Sequence, residues 1–349
     1  MLAAETRAAP PPDSVALLAR SPVDWKQIVQ PLEPFLQAVS RRMGEQISAF
    51  EPDLACYARY ALVTQGKQLR PALVGLSAGA TGALHDSHVT IAVIIEMVHL
   101  ATLVHDDVMD EATMRRGRPT LAANWGNELS VLLGDCLFAR ALELAASFPT
   151  PEICRAVSAA TNTVCAGEIL QTQRRGRFDL TRAEYLKLIA MKTGALFALA
   201  CELGAHLSGA KPKQRHAARD FGMALGTAYQ IYDDCLDLFG SEDSAGKSLG
   251  TDLAKGKVTL PLLEILERES AQSDQLQAML RDWQPKLVPQ LLVLLERHDA
   301  LGESRRVIQE HLHAARQSIA ALPDSESRVG LAGLCEVLAV QTELLGGAA

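Results

Sequence analysis

The chain has 349 residues, 48% of them apolar and 21% charged, which is enough to bury a sizeable core and too apolar for a disordered chain. A net charge of −7 argues against a nucleic-acid partner, so an anionic ligand would have to be met by local basic residues or by metal. Aromatic residues make up only 5% while Ala and Leu abound, which favours helices over strands. The seven cysteines (Cys56, Cys136, Cys154, Cys165, Cys201, Cys235 and Cys335) are scattered and form no Cys-x-x-Cys pair. That usage suits free thiols in a reducing cytoplasm. No apolar leader is expected, and no transmembrane segment: the longest apolar run, Val89 to Val104, is broken by Glu96 and His99 and is short for a bilayer.

In chain order, residues 1–21 are Ala/Pro-rich and read as a disordered tail, leaving 22–349 as a single helical domain. Ile28, Leu32, Phe35, Leu36, Val39, Met43 and Ile47 predict one long helix from Trp25 to Phe50, tolerating Pro31 and Pro34 near its start. A shorter helix follows from Asp53 to Leu62. The turn Gly66-Lys67-Gln68-Leu69-Arg70-Pro71 then feeds a helix to Ala80, and is either a surface turn with solvated cations or an anion site at a helix N-terminus. Helices are predicted next for Asp86–Met109, Glu128–Ala146, Glu152–Arg174 and Thr181–Ser208, the last opening on the capping box Thr181-Arg-Ala-Glu184. Inside it Lys192-Thr193-Gly194 interrupts an apolar face, where a lone lysine would ordinarily snorkel to solvent. A helix from His216 to Phe239 is followed by the polar loop Gly240–Lys257, a plain connector or a lid carrying Lys247 and Lys257. From Leu260 to Leu345 the helices carry no evident chemistry. No strand shows period-two alternation, so the class is all-α, a bundle of ten or more helices around a central cavity.

Two of these helices end alike. The first closes on Asp106, Asp107 and Asp110, with Arg115, Arg116 and Arg118 just beyond; the second closes on Asp233, Asp234 and Asp237, just before Gly240. Carboxylates four apart share a helix face, repel one another, and sit at the negative end of the helix dipole. One such cluster is ordinarily a solvated face. Two of them, each closing an apolar helix and accompanied by cations, point to divalent metal held together with a phosphate, since Mg²⁺ binds through one or two carboxylates plus substrate oxygens.

The ordered motifs GKQLRP (66–71), His99, HDDVMD followed by RRG (105–117), GEILQ (167–171), KTG (192–194), YQIYDDCLD (229–237) and GKSLGTDLAKGK (246–257) resemble those of the trans-isoprenyl diphosphate synthases of the long-chain polyprenyl type. The resemblance implies an isoprenoid-synthase fold, a homodimer, and head-to-tail condensation of isopentenyl diphosphate with an allylic diphosphate. It implies three Mg²⁺ ions, two on Asp106 and Asp110 and one on Asp233, with Asp107, Asp234 and Asp237 in support. Arg115, Lys192 and Lys257 would clamp the allylic diphosphate with Lys247 closing over it, and Lys67, Arg70, His99 and Arg116 would hold isopentenyl diphosphate. Lys192, Thr193 and Gln230 would lie beside the developing cation. One departure is that Gln65-Gly66-Lys67-Gln68 replaces the family's usual GGKR.

Short-chain members of that family place an aromatic plug four or five residues before the first aspartate, where this chain has Thr102 and Ala101. Small side chains there would leave a groove open past Val98 towards Ile94 and Ile95. At about 1.5 Å per residue this implies a product of roughly C30–C50. The alternatives are a short-chain (C15–C20) synthase or a non-catalytic subunit of a heteromeric one; a terpene cyclase is disfavoured by the second cluster, DDCLD, and by the 66–71 cations. The expected location is cytoplasmic, with peripheral membrane contact for release of a lipophilic product.

Overall fold

The computed structural model describes residues 24–63, 66, 68–240, 250–268 and 270–346. The 1–21 tail, Lys67 and Lys247 lie outside the described residues.

The chain is built almost entirely of helices. Where one N-terminal helix was expected, α1 (Trp25–Val29) and α2 (Glu33–Ser48) are separated by a 3₁₀ turn, Gln30–Leu32. The cause is local. Pro31 and Pro34 each fall in the first two positions of a new element, where a missing N–H costs no intrahelical bond. There follow α3 (Pro52–Val63), α4 (Leu69–Thr81) and α5 (Asp86–Met109). After a hairpin come α6 (Leu121–Trp125), α7 (Asn127–Ala146), α8 (Pro151–Gln173), α9 (Arg182–Ile189), α10 (Ala195–Leu207) and α11 (Pro212–Phe239). Shorter helices at Thr251–Ala254, Leu260–Leu266, Ala271–Arg281 and Val288–Arg297 precede Ala300–Ile319 and Glu326–Glu343.

α5 forms the centre. Ile91, Ala92, Val93, Ile94, Ile95 and Met97 are all fully buried, so this helix is apolar on every side. It packs against α4, α7 and α10, while α10 also contacts α8 and α11, and α11 leans on Ala300–Ile319. One contiguous apolar core runs from Ile28 to Leu345. The expectation that the apolar run is too short for a bilayer needs correcting on length: Asp86–Met109 and Arg182–Leu207 are both long and apolar enough to cross a membrane. Their most apolar windows are 72% and 78% buried inside the fold, so packing already covers most of that surface.

Two further differences from the sequence reading bear on the site. The predicted helix from Thr181 to Ser208 is not uniform: between α9 and α10 the residues Ala190–Gly194 form one π turn. The capping box is present, with Thr181 N–H donating to Glu184 Oε2 (3.0 Å) and Glu184 N–H donating to Thr181 Oγ1 (3.2 Å). The chain also makes a minimal hairpin, β1 (Met114–Arg115) with β2 (Arg118–Pro119), although no strand was expected. Its turn residues Arg116 and Gly117 have φ of +51° and +72°, as a two-residue hairpin of primed type requires. Two-residue strands are too short for any alternation to be seen.

Candidate active site

The first acidic helix end is held by cations from four parts of the chain. Asp107 is buried and accepts from Arg115, Nε at 2.8 Å and Nη2 at 2.7 Å on Oδ1. The hairpin returns Arg115 to the helix end it has just left. Asp106 Oδ2 lies 3.6 Å from Lys192 Nζ. Burial, only partly offset by Lys192, raises the Asp106 carboxyl to about 6. Asp110, just past the last turn of α5, has Arg175 Nη2 at 2.6 Å on Oδ1 and both Lys255 Nζ (3.0 Å) and Lys257 Nζ (3.4 Å) on Oδ2. Burial alone would raise Asp110, but Lys257, Lys255 and Arg175 outweigh it and bring the group down to about 2.

Lys192 is aimed inwards. Its side chain is 21% exposed, pairs with Glu168 and donates to Gln171 Oε1 (3.1 Å), so it does not snorkel. The π turn accounts for this: one extra residue in the turn offsets Lys192 and Thr193 from the register of α9, and π turns recur at functional sites for that reason. On the other side, Gly226 of α11 comes so close that a Cβ there would sit 2.9 Å from Gly194 Cα.

That contact brings the second acidic end to the same π turn. Thr193 Oγ1 donates to Gln230 Oε1 (2.6 Å), and Gln230 Nε2 donates to Asp234 Oδ1 (2.9 Å). Tyr185 donates to the other oxygen of Asp234 (2.6 Å). Burial, then the nearby charge of Asp252, lifts Asp234 to about 7 in spite of both hydrogen bonds. Asp233 is half-buried beside it. Asp237 is fully buried and turned elsewhere: it accepts from Thr251 Oγ1 (3.0 Å) and from the Asp252 N–H (3.1 Å), anchoring the Thr251–Ala254 turn. Lys257 spans the two halves, 3.4 Å from both Asp110 and Asp252. Burial opposes its charge, but those two carboxylates raise its pKa.

A second polar cluster lies against α5 about two turns deeper. His99 has Arg70, Arg115 and Arg116 as its charged neighbours. Burial, reinforced by these three cations, holds His99 well below the usual imidazole range, so it is neutral at neutral pH. Arg70 lies over the Phe197 ring (5.1 Å), with its Nε buried and meeting no hydrogen-bond acceptor among the described residues. Arg116 packs on Gly66 so closely that a Cβ there would be 2.6 Å from its Nη2. Glu96 is buried in this cluster, its pKa raised by burial and lowered by Arg70 and Arg116. Of the groove residues, Val98 and Ala101 are 1% and 0% exposed within the core, and half-buried Thr102 donates its hydroxyl to the His99 carbonyl (2.7 Å).

Among the described residues no three Asp, Glu, His or Cys side chains form a ready-made metal cage. Mg²⁺ does not ask for one, because it takes one or two carboxylates and completes its shell with water and phosphate oxygens. The donors here, carboxylates at two helix ends with five cations among them, fit a metal that arrives with a diphosphate.

A family model described as polyprenyl synthetase matches residues 51–293. The chain belongs to the polyprenyl synthetase family. It is 36% identical to the octaprenyl diphosphate synthase of Escherichia coli K12 over 286 residues, 81% of this chain and 88% of that protein. It is 33% identical to a short chain isoprenyl diphosphate synthase of Methanothermobacter thermautotrophicus, covering 89% of this chain and 97% of that one. A heptaprenyl diphosphate synthase component 2 of Bacillus subtilis is 34% identical, with 87% of each chain covered. The crystal structure of a polyprenyl synthase from Caulobacter crescentus, complexed with calcium and isoprenyl diphosphate, superposes with a TM-score of 0.86 at 31% identity, over 92% of this chain and 98% of that one. The chain is therefore a trans-prenyltransferase, a prenyl diphosphate synthase of all-α fold. Within this polyprenyl synthetase, sequence reasoning missed Tyr185, Arg175, Lys255, Asp252 and the buried Glu96. Tyr185 and Arg175 are single residues with no spacing partner, whereas Asp252 and Lys255 sit inside the 246–257 motif without being singled out and Glu96 is a carboxylate inside an apolar run.

Proposed function

We propose that the protein condenses isopentenyl diphosphate with an allylic diphosphate, head to tail, in a Mg²⁺-dependent reaction that uses three ions and yields a long-chain trans-polyprenyl diphosphate of about C30–C50. The observation that carries this reading is that two adjacent residues of the π turn reach the two acidic helix ends, Lys192 pairing with Asp106 and Thr193 linking through Gln230 to Asp234. Asp106, Asp110 and Asp233 would hold the metal, which when bound supplies positive charge to the departing diphosphate. Arg115, Lys192 and Lys257, now paired with Asp107, Asp106 and Asp110, would exchange those carboxylates for diphosphate oxygens, with Lys247 added from the loop. Asp237, already engaged by Thr251 and Asp252, would act by anchoring that loop.

The chemistry follows from charge. The allylic C–O bond breaks with its electron pair leaving on the diphosphate, and the cations around it stabilise that charge as it develops. The carbocation takes the π electrons of the isopentenyl double bond, forming the new C–C bond, and the adjacent carbon loses a proton to the released diphosphate. Thr193 and Gln230, hydrogen-bonded to each other, would lie beside this region, and buried surroundings would keep water from the cation. Arg70, His99, Arg116 and Lys67 would orient the second diphosphate, His99 as a neutral hydrogen-bond donor. The small side chains of Ala101 and Thr102 support the long product, and elongation along this face requires the groups packed on Val98 and Ala101 to give way. A homodimer is supported by apolar side chains exposed on neighbouring helices, Leu132 of α7 and Ile169 of α8.

Purified protein incubated with labelled isopentenyl diphosphate, an allylic primer and Mg²⁺ should give prenyl diphosphates longer than C20, resolved by chromatography. Changing Asp106 and Asp110 together to alanine should lower turnover by about 10³-fold or more. Full turnover by that double variant sinks the reading.

A further inference from the structure

The Arg175–Gly176 turn, just past the C-terminus of α8, touches two parts of the site at once. Arg175 Nη1 donates to the Met109 carbonyl (3.1 Å), one of the last carbonyls of α5 left without an intrahelical donor, and Nη2 donates to Asp110 Oδ1 (2.6 Å). The next residue, Gly176, donates its N–H to the Gly256 carbonyl (2.8 Å). Gly256 lies between Lys255 and Lys257, the two lysines on the other oxygen of Asp110. Both glycines adopt positive φ, +70° and +67°, and a Cβ at 256 would stand 3.1 Å from the Gly176 nitrogen. A side chain at 256 would therefore strain the backbone and crowd this contact.

We propose that Arg175, with Gly176, is a positioning clasp that orients Asp110 and tethers the 255–257 loop to the same point. Asp110 lies beyond the last full turn of α5, so nothing in the helix itself fixes its carboxylate. A planar guanidinium meets the Met109 carbonyl and the Asp110 carboxylate together, which a lysine ammonium on a flexible stem cannot reproduce. The loop tether then sets how far Lys255 and Lys257 stand from that carboxylate. The proposal rests on Asp110 being a metal ligand, as argued above, and concerns what holds it.

The test uses the full chain as wild type, Arg175→Gln, Arg175→Lys, Gly256→Ala and Asp110→Ala. Mn²⁺ binding is read by electron paramagnetic resonance with inorganic pyrophosphate present, and KM is measured for each substrate. Arg175→Gln should weaken Mn²⁺ binding about tenfold, the range seen when a group that orients a metal ligand is removed. It should raise KM for the allylic substrate and leave that for isopentenyl diphosphate within about twofold. Arg175→Lys should fail to restore Mn²⁺ binding, whereas added guanidinium should partly restore Arg175→Gln. Gly256→Ala, which leaves Arg175 in place, should raise the allylic KM while changing Mn²⁺ binding less than Arg175→Gln does. Wild-type Mn²⁺ binding by Arg175→Gln, with binding lost in Asp110→Ala, overturns the clasp and leaves the metal assignment standing. Wild-type binding by Asp110→Ala overturns the metal assignment and the clasp with it. An equal rise in both KM values for Arg175→Gln marks a general structural role and also overturns the clasp.

Discussion

Asp234 is a carboxylate inside the protein with Tyr185 and Gln230 as donors and the charge of Asp252 nearby, and burial lifts its pKa to about 7. In the unfolded chain it releases its proton near the ordinary value of 3.8. Between these limits the folded protein holds more protons than the unfolded one, so stability falls as pH rises from about 4 to about 7. Asp234→Asn removes that titration. With a chelator present, urea midpoints at pH 5 and pH 8 should show the variant gaining on wild type as pH rises, and parallel shifts of both proteins would refute it. At this scale the aspartate pairs could be read from sequence because their spacing is itself a signal, one helical turn apart at the end of an apolar run. Tyr185 and Arg175 could not. Each reaches the site through the fold alone, and a tyrosine after a capping box or an arginine before a glycine looks the same when it does nothing.

The helices themselves followed from periodicity, because long apolar patterns at three and four residues leave few alternatives. What escaped were the interruptions. A single π turn at Ala190–Gly194 leaves the apolar face almost unchanged while re-aiming Lys192, and the hairpin at 114–119 depends on one arginine with positive φ, Arg116. α5 shows the same limit in its groove. Small residues at 101 and 102 can be seen in the sequence, but whether space lies beside them depends on neighbours that periodicity does not identify. Ala101 is closed into the core, so Ala101→Phe inserts a ring where none fits and should lower stability by about 1–3 kcal/mol. If elongation runs along this face, the same ring blocks it. Products of the folded variant, separated by chromatography, should shorten towards C15–C20. An unchanged product length with the expected loss of stability would move the elongation path to another face of α5.

On the scale of the whole molecule, the surface of α7 and α8 is where the proposed homodimer would find apolar side chains to bury. Leu132 is 63% and Ile169 59% exposed, with Val131 and Leu170 beside them, on two helices that pack together. Burying such side chains is worth about 1.5–3 kcal/mol each, enough for a few of them to anchor an interface. The opposite side of α7 connects to the chemistry. His105, next to Asp106, contacts the Val131 carbonyl through Nε2 (2.9 Å) and leaves no room for a Cβ at Gly134, so α7 braces the acidic end of α5 from outside. In the proposed homodimer Leu132→Asp would place a charge in the interface and should weaken self-association by about 10²-fold, seen by sedimentation at micromolar concentration. Because α7 also supports His105, turnover per chain should fall as the protein dissociates, and it should recover at protein concentrations high enough to restore the dimer. A variant that dissociates yet keeps full turnover would separate assembly from catalysis, and one that stays dimeric would place the interface on another face.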